Sequence, residues 1–204
     1  MQNIRNIIFD LGGVILNIDF KQTELAFANL GIGNFNEYYT LQTVSPLFEQ
    51  LELGLVTPEV FYDKFREIVK VSLSNEEIQT AWNALLLDFP PERINWLKDI
   101  GKRHPIYLLS NTNKIHYNAF MKLFEEQIGD DDFNEYFVKA YYSHEINLRK
   151  PSKECFEYVL KMENLNPSET LFIDDSDKNI DAAKSVGLNT IYLPTPHTIL
   201  ELNL

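Results

Sequence analysis

The chain is poor in cysteine, in basic residues and in long apolar runs. Its 204 residues include one cysteine, Cys155. No intrachain disulfide can form, so the fold must rest on its packed core, and a reducing, cytoplasmic setting is the expectation. Lys and Arg number 18 against 30 Asp and Glu, a net charge of −12. So acidic a surface repels nucleic-acid backbones and anionic lipid, and neither nucleic acid nor a membrane is an expected partner. It does not exclude a small anionic substrate, because a phosphate site depends on local amides, Lys and metal. No stretch approaches the ~20 apolar residues that span a bilayer. The segment from Met1 to Asp10 has Arg5 as its one basic residue and lacks the apolar core of a secretory signal.

What the chain does have is material for a core. Hydrophobic residues make up 45% and aromatics 13%, with 14 Phe and 10 Tyr, more than a disordered chain carries. Short apolar runs occur at Ile7–Phe9, Ile106–Leu109, Val138–Tyr142, Leu171–Ile173 and Thr190–Leu193. Each is β-branched or aromatic and ends in polar or turn residues, the pattern of a buried parallel strand. Helical patterns follow at Lys114–Gln127, Ser152–Met162 and Lys178–Val186. This alternation predicts an α/β fold with a doubly wound, Rossmann-like parallel sheet of about five strands, its chemistry beyond the carboxyl ends of the strands.

Residues 17–87 break the rhythm and read as helices only. Thr57-Pro58 and the Ser74…Glu77 capping box mark two helix starts, and Asp19 fits a cap before Phe20–Leu30. Phe61, Phe65, Ile68 and Val69 fall at helical spacing in the first of these. The predicted division is therefore an α/β core of residues 1–16 and 88–204 with a helical cap at 17–87. Two crossings suggest a hinged lid; a permanently packed helical layer is the alternative. Asp130-Asp131-Asp132 reads as a solvated loop, without the alternating ligands of a calcium loop.

Four strand ends carry the chemistry. Asp10-Leu11-Gly12-Gly13 follows the first run, Ser110-Asn111-Thr112-Asn113 the second. Arg149-Lys150-Pro151-Ser152 precedes a helix that Pro151 is expected to open, and Asp174-Asp175-Ser176-Asp177 follows the fourth run. Asp177 reads as a helix cap. Asp10, Asp174 and Asp175 would converge on one sheet edge, where each pair of charges about 4 Å apart repels by roughly 4 kcal/mol at an effective dielectric near 20. Lys150 alone cannot balance them, and a hard divalent cation can.

These motifs, in this order, resemble those of the haloacid dehalogenase superfamily of phosphohydrolases, and the helical insertion resembles that superfamily's cap. Asp-Leu-Gly-Gly-Val, Leu-Ser-Asn-Thr-Asn and Ile-Asp-Asp-Ser-Asp-Lys-Asn-Ile are most similar to bacterial α-D-glucose-1-phosphate phosphatases. The resemblance implies a Mg²⁺-dependent phosphatase acting on a small phosphate ester through an aspartyl-phosphate. Asp10 would be nucleophile and metal ligand, with the Gly12 carbonyl, Asp175 and Asp174 as further ligands, Asp174 either directly or at one remove. Ser110, Asn111, Gly12 and Lys150 would bind the phosphate, and Lys150 would neutralise Asp10. A monomer is the simplest expectation.

One position departs from the pattern. Most family phosphatases carry a second Asp two residues after the nucleophile, and here it is Gly12. Asp19 could substitute, the leaving group could need little protonation, or the protein could turn over slowly. The rivals are a 2-haloacid dehalogenase, which does not need the acidic pair, and a phospholigand-binding module without turnover. Glu49, Glu52 and Trp82 are cap residues that could touch the leaving group. His116 could approach the pocket but reads rather as a partly exposed helical residue, and Cys155 reads as core.

Overall fold

The computed structural model describes residues 4–40, 44–129 and 132–204; Asp130 and Asp131 of the expected loop lie outside them. Five strands, β1 (Asn6–Phe9), β2 (Ile106–Ser110), β3 (Lys139–Tyr142), β4 (Thr170–Asp174) and β5 (Asn189–Tyr192), form one parallel sheet in the order β3-β2-β1-β4-β5. Every expected run is a strand, each bounded within about two residues of its apolar stretch. The reversal of order around β1 is the switch point where an open α/β sheet places its ligand site.

Strand alternation sends neighbouring residues to opposite faces. Ile7, Phe9, Leu108, Leu171 and Ile173 join one cluster with α5 (Pro91–Gly101) and α6 (Lys114–Ile128). Ile8, Tyr107, Leu109 and Phe172 join another with Cys155, Phe156 and Val159 of α8 (Lys153–Met162) and Ile180 and Ala183 of α9 (Asp177–Ser185). Both faces of β1, β2 and β4 are covered, so these strands are buried almost throughout, while the edge strand β5 is only partly buried. Pro151 does not open α8: it lies in the preceding turn, and Ser152 is the N-cap of a helix that starts at Lys153.

Between β1 and α5 lie α1 (Phe20–Asn29), α2 (Pro46–Glu52), α3 (Pro58–Val69) and α4 (Asn75–Asn83). Their starts are chemically marked. Asp19 accepts from the Lys21 amide, Thr57 from that of Val60, and Ser74 and Glu77 form a reciprocal capping box. Phe27, Phe35, Phe48, Phe61, Phe65 and Trp82 fill a separate core, which Ile115 of α6 also enters. Ile68 is the exception among the expected apolar positions: it is exposed, and Tyr62 faces inward on that helix.

The two crossings into this unit bond to each other. Asn17 N donates to the Asp88 carbonyl at 2.9 Å, Leu87 N to the Asn17 carbonyl at 3.0 Å, and Asp19 N to the Leu85 carbonyl at 2.9 Å. The Asn17 side-chain amide also donates to Asp88 Oδ1 at 3.1 Å. No helix among the described residues is long and apolar enough to cross a membrane.

Candidate active site

Register assembles the site. Phe9 pairs with Ile173, and the Asp10 amide donates to the Ile173 carbonyl at 2.9 Å, so Asp10 and Asp174 leave adjacent strand ends side by side. Both follow the parity of Ile8 and Phe172 and so lie on the α8 side of the sheet. The loop before α8 meets them there: Lys150 Nζ donates to Asp10 Oδ1 and to Asp174 Oδ2, both at 2.7 Å. Asn111 fixes that loop, its side-chain amide donating to the Lys150 carbonyl at 2.8 Å and its Oδ1 accepting from the Lys150 amide at 2.9 Å.

Asp174 is fully buried and heavily bonded. Besides Lys150 it accepts from the Ser176 amide at 2.8 Å and from Asn179 Nδ2 at 3.0 and 3.1 Å. Asp175 instead lines the open cavity with Asp10. Gly13 makes this approach feasible: at φ +75° it takes a backbone that side chains avoid, and a Cβ there would lie 2.2 Å from Asp175 Oδ2.

Carboxylate oxygens of Asp10, Asp174 and Asp175 come within 4.8 Å of one another. Three carboxylates against one ammonium leave a deficit of positive charge, and the titration behaviour reflects it. Burial, only partly offset by Lys150, pushes Asp10 up to about 7, with Asp174 and Asp175 adding repulsion. Burial and Asp174 push Asp175 up to about 6. Lys150 is driven up by its two carboxylate partners in spite of its burial. An all-oxygen donor set short of positive charge fits a hard divalent cation such as Mg²⁺.

The cavity above Asp10 has a volume of about 290 Å³ and lies between the sheet edge and the helical insertion. Gly12, Asn111, Lys150 and Asp175 line it from one side, Ile18, Phe20, Tyr39 and Glu52 from the other. Ser110 borders an adjoining space of about 70 Å³ that shares Gly12, Asn111, Phe20 and Tyr39 with the main cavity. At position 12, where an acid would stand, Ile18 has taken the room: a Cβ on Gly12 would meet Ile18 Cδ1 at 2.9 Å. Asp19 is no replacement proton donor. Hydrogen bonds from Gln22 and the Lys21 amide hold its carboxyl below the ordinary range, as suits a helix cap.

Other sequence expectations divide. Of the three cap candidates, Glu52 lines the cavity, Glu49 is a half-exposed neighbour of Arg149, and Trp82 is sealed in the cap core and lines no part of it. Cys155 is core, its thiol pushed up to about 12 by burial. Asp177 opens α9 as its first residue and accepts from the Lys178 amide. His116, read as partly exposed, is buried because Trp82 stacks on it with ring centroids 4.4 Å apart. Asn113 Nδ2 lies 3.1 Å from its Nδ1 and the Trp82 carbonyl 3.1 Å from its Nε2, the pattern of a neutral imidazole that donates from Nε2.

Burial depresses His116 to about 4 from 6.5. Below pH ~6.5 the unfolded chain takes up a proton that the folded chain refuses, so folding stability falls with pH by about 1.4 kcal/mol per unit until pH ~4. Urea unfolding of the wild type and His116→Gln across this range should show their stability difference shifting by roughly 2–3 kcal/mol toward the variant at low pH. A difference that stays constant would place the acid sensitivity elsewhere.

Comparison with known proteins agrees with this geometry. Residues 4–187 match the haloacid dehalogenase-like hydrolase family. A D-ribitol-5-phosphate phosphatase from Bacteroides thetaiotaomicron is 31% identical over 188 residues, covering 92% of this chain and 90% of the relative. A sesquiterpene phosphatase of Aspergillus oryzae is 27% identical over 190 residues, 91% of this chain and 88% of the relative. A haloacid dehalogenase family enzyme from B. thetaiotaomicron, solved as an aspartate-to-alanine mutant with magnesium and inorganic phosphate, superposes with a TM-score of 0.90 at 34% identity, covering 95% of this chain and 96% of that one. The strand-end carboxylates, the lysine that joins two of them and the helical insertion above thus belong to a member of the haloacid dehalogenase-like hydrolase family.

Proposed function

We propose that the protein is a Mg²⁺-dependent phosphatase that hydrolyses a small sugar or polyol phosphate through an aspartyl-phosphate on Asp10. The observation that carries this reading is the pairing of Asp10 with Lys150 at 2.7 Å at the floor of a cavity that Asp175 also lines. A sugar or polyol ester is supported by the D-ribitol-5-phosphate phosphatase among the relatives and by the motif resemblance to glucose-1-phosphate phosphatases. Residues 17–87 act as a lid over the strand ends, with the paired crossings as its base.

Lys150 occupies Asp10 Oδ1, so Oδ2 is the oxygen that attacks phosphorus, in line with the ester oxygen. The Lys150 ammonium balances charge on the phosphoryl oxygens, while Asp174 and Asn111 keep it aimed. Ser110 and the backbone amides after β1 bind the remaining oxygens. Asp10, Asp175 and the Gly12 carbonyl would hold Mg²⁺ directly, and Asp174, already occupied by Lys150 and Asn179, would act mainly by positioning Lys150. Bound there, Mg²⁺ supplies Lewis-acid polarisation of the phosphoryl group and lets the carboxylates ionise together.

The P–O bond to the leaving alkoxide breaks as the Asp10 O–P bond forms, and the alkoxide takes its proton from water because Gly12 offers none. Water then attacks the acyl-phosphate, releasing inorganic phosphate and free Asp10. General acid help is worth about 10²–10⁴-fold, so esters with good leaving groups should turn over best. A panel of phosphate monoesters assayed with Mg²⁺ and with excess chelator tests the reading. Phosphate release should fall at least about 10²-fold in chelator and return on adding Mg²⁺. No release from any ester would overturn it, and halide release from haloacids in chelator would favour the dehalogenase alternative.

A further inference from the structure

The wall of the cavity opposite Asp10 carries a buried charge pair that the chemistry above does not use. Glu52, the last residue of α2, is 2% exposed. Its Oε2 accepts from Arg149 Nε at 2.8 Å and lies 2.8 Å from Arg149 Nη2 in an ion pair, and its Oε1 accepts from the Tyr39 hydroxyl at 2.6 Å. Glu52 and Tyr39 come from the helical insertion, Arg149 from the loop that also carries Lys150, and all three line the cavity.

Stability does not account for this arrangement. A buried ion pair is commonly matched or bettered by apolar residues of the same volume, and the surroundings here are already aromatic. The α2 end is also held down without it. The Asn147 side-chain amide donates to the Leu53 carbonyl at 2.6 Å, and Gly54 lies so close to the His144 carbonyl that a Cβ would come within 2.1 Å.

The hydrogen-bonding capacity left over is specific. A carboxylate offers about four acceptor sites; Tyr39 takes one on Oε1 and Arg149 covers Oε2, which leaves one on Oε1. The Tyr39 oxygen still accepts. Arg149 gives its Nε–H to Glu52, holds Nη2 against the same oxygen, and presents other N–H groups. Acceptors and donors side by side suit a hydroxyl, which does both. The Phe20 and Tyr39 rings, centroids 5.9 Å apart, provide an apolar surface for the C–H face of a sugar or polyol.

We propose that Glu52, held by Arg149 and flanked by Tyr39, is the specificity-determining contact that reads the hydroxyls of the leaving group, and that the substrates are hydroxylated phosphate monoesters. This rests on the phosphatase reading above. It binds the group that leaves phosphorus, not the phosphate itself.

The measurement is the ratio of kcat/KM for D-ribitol 5-phosphate to kcat/KM for n-pentyl phosphate, an alkyl ester with a comparable leaving oxygen and no hydroxyl to read. Glu52→Gln keeps the shape and removes the charge, and should lower the ratio about 10- to 100-fold, the effect of a hydrogen bond to a charged group. Tyr39→Phe removes one oxygen from an otherwise unchanged ring, so it keeps the test valid where Glu52→Gln fails to fold; it should lower the ratio several-fold. A ratio unchanged in both variants, even with both rates reduced, would make the cluster structural and overturn the proposal. A wild type with no preference for the hydroxylated ester would overturn it too. A wild type that releases phosphate from no ester fails the phosphatase reading first, and this inference with it.

Discussion

Asp10→Asn should lower kcat at least about 10³-fold while leaving the fold intact, and should raise the melting temperature of the metal-free protein. The amide has the size and shape of the carboxylate but is too weak a nucleophile to form the acyl-phosphate. Its effect on stability has the opposite sign because Asp10 is buried beside Asp174 and Asp175 and is pushed up to about 7. Neutralising it removes repulsion, and Lys150 retains Asp174 as a partner at 2.7 Å. Added Mg²⁺ should stabilise the wild type more than the variant, since only the wild type offers all three carboxylates. Steady-state assays and thermal melts with and without Mg²⁺ check both halves. A variant that keeps a tenth of wild-type activity would remove Asp10 from the role of nucleophile.

Lys150→Met carries the second large effect, with the same sign for activity and the reverse for stability. Among the described residues, Lys150 is the one cation that hydrogen-bonds both Asp10 and Asp174. Methionine fills its volume but leaves three buried carboxylates with no ammonium, a loss of about 3–5 kcal/mol for breaking a buried ion pair. In a chain of this size that lowers the melting midpoint by roughly 10 °C. Repulsion among the acids also grows, so the acid limb of the pH–rate profile should move upward. Folded-state carboxyl values above the unfolded ones favour the protonated native form, so the variant should gain stability relative to the wild type as pH falls from neutrality toward about 5. Mg²⁺ should restore much of the lost stability and little of the rate, because the ammonium's place beside Asp10 stays empty. A melting temperature unmoved by the substitution would mean that the pair is not worth what its burial implies.

Much of this was legible in the chain because it is encoded locally. β1, β2 and β4 show as short apolar runs since both faces of the sheet are covered there, and the edge strands show by their β-branched and aromatic residues. Asp19, Thr57 and Ser74 announce their helices through caps that act over two or three residues. Asp10, Ser110, Lys150 and Asp175 follow strand ends or a helix-opening loop, which places them at one edge. What escaped depends on contacts between distant segments. Glu52 could be named as a cap candidate but not chosen over Glu49, because Arg149, its partner, lies 97 residues away. His116 looks exposed until Trp82 from the insertion covers it. The division between Asp174, turned to Lys150, and Asp175, turned to the cavity, is set by strand parity and by Asn179. Pro151 carried a helix-start signal that the turn used instead.

The bonded crossings at Asn17 and Asp88 also bear on how the chain reaches this structure. β1 must pair with β2 across a sequence separation of about a hundred residues, Ile7 finding Ile106. Closing so long a loop is entropically costly and slow. Once Asn17 is joined to Asp88, the insertion between them no longer counts toward that closure, and the effective loop shrinks to about thirty residues. The logarithmic dependence makes this worth about 1 kcal/mol in the closure step. Where the crossings join first, the segment that roofs the finished site carries its own share of the closure entropy, and the central strand meets its neighbour across the shorter remainder.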